Sequence, residues 1–505
     1  MRMRMTMRIS RWTVLALASS GIVSAACSLG RHPAQVPVTT SSAEARELYL
    51  EGRGALDALR HEEAALLFAR ALMRDPEFAL ANLGRAQAAP TNAASDNWLN
   101  RALALSGGVS QGERLMIFAA HADAKHDRAA QLGHCTELAR LYPDDARAQV
   151  LLGDVHFEQN DSARAIRSFQ QALAIEPTLA LAHRRLGETY AALRRYDEAK
   201  QELDRFVKAE PSPRAHGLLA RILLESGEFE EAIASYERAL TLNPADAEAA
   251  IGVGSVLLFW GKTDQALSAF RELHDRTEDV AQRRSALVWI GATHAERGAT
   301  DAALESLRAA IRLAQSDAPE RARLLGLVGD LYLDAGSVEE AAAAYEEAER
   351  AIAPTKPSAI LQFSMRLDRL YRDAKLAVAR HELAEARAAA LELRTLLGAS
   401  GVGRKEQFYE LSALIALAEG SHRQAALGLQ TADQSDPRLH YLAALAYRGF
   451  GQSREALSRC QLALACYKPR FEVASLRAKA RRLMEELAAE ANADSAARRS
   501  RRPRP

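Results

Sequence analysis

An all-α array of stacked helix pairs is the fold that this 505-residue chain predicts, and three observations carry the prediction. A small residue, an Ala twelve positions on, an aromatic or Leu four further, usually an Ala three further and often a Pro five beyond recur about every 34 residues. The chain is rich in Ala, Leu, Glu and Arg, with aromatics at 6%. No segment past the amino terminus alternates apolar and polar residues in the manner of a strand. A period of this length means units that bury their cores only against neighbours, so one elongated domain accommodates the whole length. Such an architecture points to a binding surface and not to a reaction.

The first element, Met1 to Ala26, carries Arg2, Arg4, Arg8 and Arg11, then an apolar run from Trp12 to Val23, then small residues. That order reads as a signal peptide over 1–26, with an apolar core too short for a comfortable membrane span. Its removal takes away four arginines and no acid, so the formal charge of +1 becomes −3. A chain so balanced has no electrostatic footprint for nucleic acid. Ser24-Ala25-Ala26-Cys27 resembles the lipobox of bacterial lipoproteins, which implies that Cys27 is diacylated after cleavage; Ser24 departs from the Leu-like residue usual in that place. Cleavage after Ala25 or Ala26 with a soluble product is the alternative. By analogy with sorting in enteric bacteria, Ser28 favours the outer membrane. Residues 27–44, with Pro and Ser, read as a flexible tether.

The repeats follow over 45–470. Gly52, Ala64, Phe68, Ala71 and Pro76 open the series; Gly153, Ala165, Phe169, Ala172 and Pro177 repeat it, then Gly187, Ala199, Leu203, Phe206 and Pro211, then Ala220, Ala232, Tyr236, Ala239 and Pro244. Gly254, Ala266 and Phe270, Gly291, Ala303 and Leu307, and Gly329, Ala341 and Tyr345 keep the spacing, as do Ala413, Ala425 and Leu429 and finally Ala444, Ala456 and Cys460. Two helices approach closely only where both crossing side chains are small, so Gly153 and Ala165 mark a crossing, with Phe169 filling the gap toward the next pair. Pro177 forbids the second helix from continuing. Gly227, Gly261, Gly336, Gly420 and Gly451 suit a left-handed turn between helices. These residues resemble the tetratricopeptide repeat family, which implies a right-handed superhelix of about eleven to twelve antiparallel pairs.

Units over 78–143 and 356–405 are irregular: Pro90 and a Thr-Asn-Ala-Ala-Ser run shorten one pair, and the later unit has a long first helix with only Ala386 in its expected place. Residues 471–493 form an amphipathic run that reads as a helix capping the last repeat. Residues 494–505, with Arg498, Arg499, Arg501, Arg502 and Arg504, read as a disordered basic tail.

Candidate chemistry is sparse. His121, His126, His134 and Cys135 cluster in one pair, but residues five apart on a helix point roughly 140° away from each other, so no shared ligand face forms and no metal or cofactor is expected. Cys135 instead suits a core slot. Gly261-Lys262-Thr263 lacks the first Gly of a phosphate loop, since Val256 stands there. Gly108-Val109-Ser110-Gln111-Gly112 matches a nucleophile-elbow pattern without its strand; Ser110 with Glu113 reads as a capping box. Cys460 and Cys466, six apart on one expected helix, face different ways and are not expected to bridge. The chain is therefore read as no enzyme.

In superhelices of the family resembled here, the first helix of each pair lines the concave face. Offsets of three, four and three residues give a stripe with Arg147, Asp154 and Phe157, then Arg184 and Glu188, then Arg214 and Arg221, then Ile251, Ser255 and Leu258, flanked by Phe259. Arginines from adjacent helices could converge there on an acidic segment of a partner. Farther on, Val288, Ala292 and Ala295 leave a small apolar stripe on which a helix or extended peptide could dock. The whole predicts a scaffold or adaptor of the bacterial cell envelope, in the periplasm or outer membrane or else secreted, that binds a protein or peptide in its groove and meets membrane only through a lipid anchor. The alternative is a self-assembling structural protein of the envelope, a homo-oligomer built through its repeat ends.

Overall fold

The computed structural model describes residues 35–353, 359–400, 405–432 and 435–500. The expected signal peptide and Cys27 lie outside them. Among the described residues, twelve α-helix pairs and one final α-helix follow in order. The pairs are α1 (Ala43–Asp57) with α2 (His61–Arg74), α3 (Ala79–Gln87) with α4 (Asn92–Ala104), α5 (Gln111–Ala124) with α6 (Arg128–Leu141), and α7 (Ala146–Glu158) with α8 (Ser162–Ile175). Next come α9 (Ala180–Ala192) with α10 (Tyr196–Ala209), α11 (Pro213–Ser226) with α12 (Phe229–Leu242), α13 (Ala247–Phe259) with α14 (Thr263–Arg276), and α15 (Val280–Glu296) with α16 (Thr300–Leu313). The last are α17 (Ala318–Asp334) with α18 (Val338–Ile352), α19 (Ala359–Ala379) with α20 (Leu383–Ser400), α21 (Lys405–Ala418) with α22 (His422–Gln430), and α23 (Pro437–Gly449) with α24 (Ser453–Leu464), before α25 (Phe471–Ser500). No strand occurs among the described residues. The fold is the all-α repeat array that the sequence predicts.

Local chemistry sets the ends of these helices. The side chains of Ser42, Asp145, Asp161, Ser212, Asp246 and Asp279 each accept a backbone N–H from the first turn that follows, which satisfies donors the helix cannot. Ser110 and Glu113 close the expected capping box. Within every pair except α3 with α4 the turn holds a left-handed residue, and Gly occupies it at 227, 261, 298, 336, 420 and 451. Leu59, His126, Asn160, Arg194 and His381 hold the same conformation without being glycine.

Packing follows from the small positions. A Cβ on Gly52 would lie 2.8 Å from the Phe68 ring, and the same ring fills the space left by Gly84 of the next pair. Phe169 likewise lies on Gly153 of its own pair and shares one core with Ala182 and Leu186 of the next. Phe169 and Phe206 are wholly buried, each contributing about 1.5–3 kcal/mol by leaving water. One continuous core runs from Ala146 to Ala344, flanked by separate cores over Ala45–Ile117 and Leu367–Ile415. Cys135 takes the core slot expected of it, against Ala119 and Val155. First helices of successive pairs approach one another, as α1 does α3, α7 does α9, α11 does α13 and α21 does α23. They therefore form the inner wall of the curve.

Both ends depart from the sequence reading. Residues 35–42 do not hang free as part of a tether: the Val36 N–H donates to Asp145, Thr39 donates N–H and hydroxyl to Glu113, and Thr40 and Ser41 donate to Asp75. Three carboxylates from separate pairs hold one extended strap. The final helix continues to Ser500, past the expected cap end at 493 and into the segment read as a disordered tail. It covers Ala444, Ala456 and Cys460 with Leu483 and Leu487, as a cap should. It also packs on α15, because its amino-terminal end crosses the inner wall. Cys466 lies beyond α24, so Cys460 and Cys466 do not share a helix as expected. No helix among the described residues is long and apolar enough to cross a membrane.

Candidate partner-binding wall

The predicted stripe lies on the first helices, and most of it is spent inside the molecule. Arg147 pairs with Asp57 at the end of α1. Asp154 takes Arg185 Nε at 3.0 Å, and burial pushes its carboxyl up to about 6 against the pull of Arg185 and Arg184. Arg184 is buried, with Nη1 3.3 Å from Glu188, and desolvation lowers its pKa. Phe157 and Ile251 are half-buried against the core. Ser255, Leu258 and Phe259 are 2%, 0% and 2% exposed, so the expectation that they face a partner fails. Only Arg214 and Arg221 stay well open, at 59% and 47%, loosely paired with Glu248 at 3.0 Å and Glu225 at 3.7 Å.

What covers this wall is the chain itself. Tyr467 stands edge-on to Phe229 at 5.0 Å, Phe471 lies beside Gly291, and Phe471, Val473 and Ala474 join the central core. Arg477 sits over Phe259 and Tyr467, donates to the carbonyls of Phe259 and Leu464, and meets Glu296, which also takes Arg481. Val288, Ala292 and Ala295, read as a docking stripe, lie on α15 and are buried. The helix that docks on α15 is α25.

Beyond this crossing the wall opens into a cavity of about 930 Å³, between α17, α19, α21 and α23 on one side and residues 468–479 on the other. Its floor is a ladder of alternating charge. Asp330 accepts from Lys375 at 2.8 Å and from the Tyr345 hydroxyl at 2.7 Å; Arg438 reaches Glu410 at 3.0 Å, Asp436 at 2.6 Å and the Tyr371 hydroxyl at 3.4 Å. Burial opposes the charge of Asp330, yet Lys375, the Tyr345 hydroxyl and Arg372 together outweigh it and hold the carboxyl below its usual range. Burial likewise opposes the charge of Lys375, and Asp330, with Tyr345 and Glu410, outweighs it and raises its pKa. Lys479 bridges to Asp334 at 2.7 Å and ties the roof to the wall. These residues did not figure in the sequence reading, although Asp330, Lys375, Glu410 and Arg438 sit on first helices, where the same helical offsets would have found them.

The class that this geometry defines is an all-α array of stacked antiparallel helix pairs. Tetratricopeptide repeat family models match residues 125–180, 156–222, 220–258, 254–318 and 301–357, so that stretch carries such repeats. Among characterised proteins, mouse Superkiller complex protein 3 is 28% identical over 225 residues, covering 42% of this chain and 14% of that protein. The match thus spans a small part of the relative. Similar solved structures include YrrB, described as a TPR protein with an unusual peptide-binding site, 25% identical with 35% of this chain and 91% of that one covered at a TM-score of 0.28. MamA from Desulfovibrio magneticus RS-1 is 20% identical, with 32% and 93% covered and a TM-score of 0.30. A tetratricopeptide repeat protein from Parabacteroides merdae is 15% identical, with 54% and 94% covered and a TM-score of 0.32.

Proposed function

We propose that this chain is a non-enzymatic scaffold of the bacterial cell envelope, exported by residues 1–26 and held by lipid on Cys27, which binds a partner protein on the inner wall of its repeats. The observation that carries the reading is the wall itself: twelve helix pairs present their first helices on one face, and part of that face remains open around Arg214, Arg221 and the cavity below residues 468–479. Repeats packed this rigidly offer a pre-ordered surface, so docking loses little conformational entropy. The mouse relative is by its name part of a complex, which accords with a partner-binding role. End-to-end self-assembly is the weaker reading, because α25 covers the apolar face of the last pair.

The test is photo-crosslinking of the exported protein in its native envelope, with the photoreactive residue at Arg214 or Arg221. Capture of a defined partner that is lost when the neighbouring arginine is reversed to Glu supports the reading. No capture at either position, together with assembly of the pure chain on concentration, sinks it. Release of the protein from the membrane fraction by Cys27→Ser checks the anchor.

A further inference from the structure

The strap before α1 decides where the chain leaves the array, and its path is set by three carboxylates that their own helix ends already fix. Asp75, Glu113 and Asp145 are 7%, 0% and 8% exposed. Asp75 takes the Glu77 N–H on Oδ1, Glu113 takes the Ser110 N–H in the capping box, and Asp145 caps α7 through Oδ1. Their other oxygens face the strap: Asp145 Oδ2 lies 2.8 Å from the Val36 nitrogen, Glu113 Oε1 2.7 Å from that of Thr39, and Asp75 Oδ2 2.9 Å from that of Ser41. Hydrogen bonds to an ionised acceptor are about twice as strong as neutral ones, and acceptors held in advance lose little freedom in making them. Apolar contacts follow the same path, with Val36 packed on Leu138, Tyr142 and Ala148, and Val38 on the first core.

The path has a direction. Asp75 follows α2, Glu113 stands in the first turn of α5 and Asp145 precedes α7, so all three mark junctions between pairs. First helices begin at that edge of the array and end at the other, where the turns within pairs lie, roughly 20 Å away at about 1.5 Å per residue. The strap therefore carries the chain along the junction edge, from the first pair to the fourth, and releases it beside α7. Val36 stands nine residues from Cys27, and Ala43 stands sixteen. Fully extended, the shorter stretch reaches about 30–32 Å and the longer about 53–58 Å.

We propose that the strap mounts the anchored array side-on: lipid on Cys27 holds the junction edge of the third and fourth pairs toward a phospholipid bilayer, with the turns within those pairs facing away from it. Without the strap the same lipid would hold the array by its first helix, on a tether nearly twice as long, and leave its orientation unset. First helices of these pairs then run away from the bilayer, which presents the inner wall sideways and not toward the lipid. The inference rests on the lipid anchor proposed above and adds to it the edge that meets the membrane.

The test uses the full mature chain with its lipid, extracted from bacterial membranes and reconstituted into vesicles of phosphatidylethanolamine and phosphatidylglycerol that carry a headgroup-linked energy acceptor. A donor dye is placed on Asp144→Cys, at the junction edge, or on Lys125→Cys, at the turn edge of the same pair; both positions are exposed, and Cys135, Cys460 and Cys466 are buried. Transfer from Asp144→Cys should exceed that from Lys125→Cys by about twofold or more, given roughly 20 Å between the edges. Replacing residues 36–41 with alternating Gly and Ser, which keeps the length and removes the contacts, should bring the ratio to about one. Hydrogen exchange on the reconstituted parent, which needs no substitution in the strap, should show the Val36, Thr39 and Ser41 amides protected. Equal transfer from both positions in the parent, a ratio that survives the Gly-Ser replacement, or free exchange of those amides overturns the proposal and leaves the anchor standing. If Cys27→Ser leaves the exported protein in the membrane fraction, the anchor itself falls and this inference with it.

Discussion

Gly153 lies directly under the ring of Phe169, so that a methyl group on Gly153 would overlap the ring edge. The ring is wholly buried and has nowhere to turn. Gly153→Ala should therefore destabilise the central pairs by about 1–2 kcal/mol, since overpacking costs about 1–3 kcal/mol and the helix gains back up to about 1 kcal/mol from losing glycine. Gly133→Ala on α6, where the added carbon meets nothing within 4 Å, should gain that helical term alone. Urea midpoints of the two variants against the parent check the pair. Equal shifts in the same direction would contradict the steric account.

A second prediction concerns the turns that glycine does not occupy. His126 has φ 58° and an exposed side chain. The left-handed conformation costs a residue with a Cβ about 1–2 kcal/mol, and the extra freedom of glycine in the unfolded chain returns part of that. His126→Gly should raise stability by roughly 0.5–1 kcal/mol, seen as a higher urea midpoint with unchanged slope. Arg194→Gly should gain less, because Arg194 also donates to the Ser435 carbonyl at 3.0 Å.

These turns show which parts of the fold the sequence discloses. A glycine in a left-handed turn, or a small residue under an aromatic ring, answers a steric demand made within one pair, and its spacing is readable at Gly153, Phe169 and Gly261. Leu59, His126 and Arg194 meet the same demand at a cost and leave no sign. The stripe from Arg147 to Phe259 was legible as a set of positions but not as a surface. Its burial depends on Asp57 and Arg477, brought there by curvature accumulated over many pairs. The docking face of Val288, Ala292 and Ala295 was read from its small side chains; that its occupant is α25 follows only from the closed path of the chain.

The raised carboxyl of Asp154 makes a pH prediction. Its folded pKa of about 6 exceeds the model-peptide value of 3.8, so ionisation is disfavoured in the folded state. The associated stability is fully present below about pH 4 and is lost as pH rises through about 6. Asp154→Asn removes this dependence. Between pH 7 and pH 4.5 the parent should gain about 2 kcal/mol relative to the Asn variant, measured by paired urea titrations. A constant difference across that range would show that Asp154 titrates normally.

The junction of Arg477 with Glu296 supports the sharpest prediction on α25. Only 1% of the Glu296 side chain is exposed, Oε2 has no hydrogen-bond partner, and burial raises its pKa although Arg477 and Arg481 pull it down. Removing one member of such a pair leaves a buried charge and costs about 3–5 kcal/mol, whereas replacing both with apolar residues of similar size is often neutral. Arg477→Met should accordingly loosen residues 471–487 from α15 and expose Phe259, which hydrogen exchange reads as lost protection on both segments. Glu296→Leu with Arg477→Met should restore most of that protection, since Phe471, Val473 and Ala474 keep their places in the core. The rescue separates a cost of stranded charge from a cost of lost packing. If the double variant exchanges as fast as Arg477→Met alone, the hydrogen bonds to the Phe259 and Leu464 carbonyls, and not the carboxylate, hold the helix across the wall.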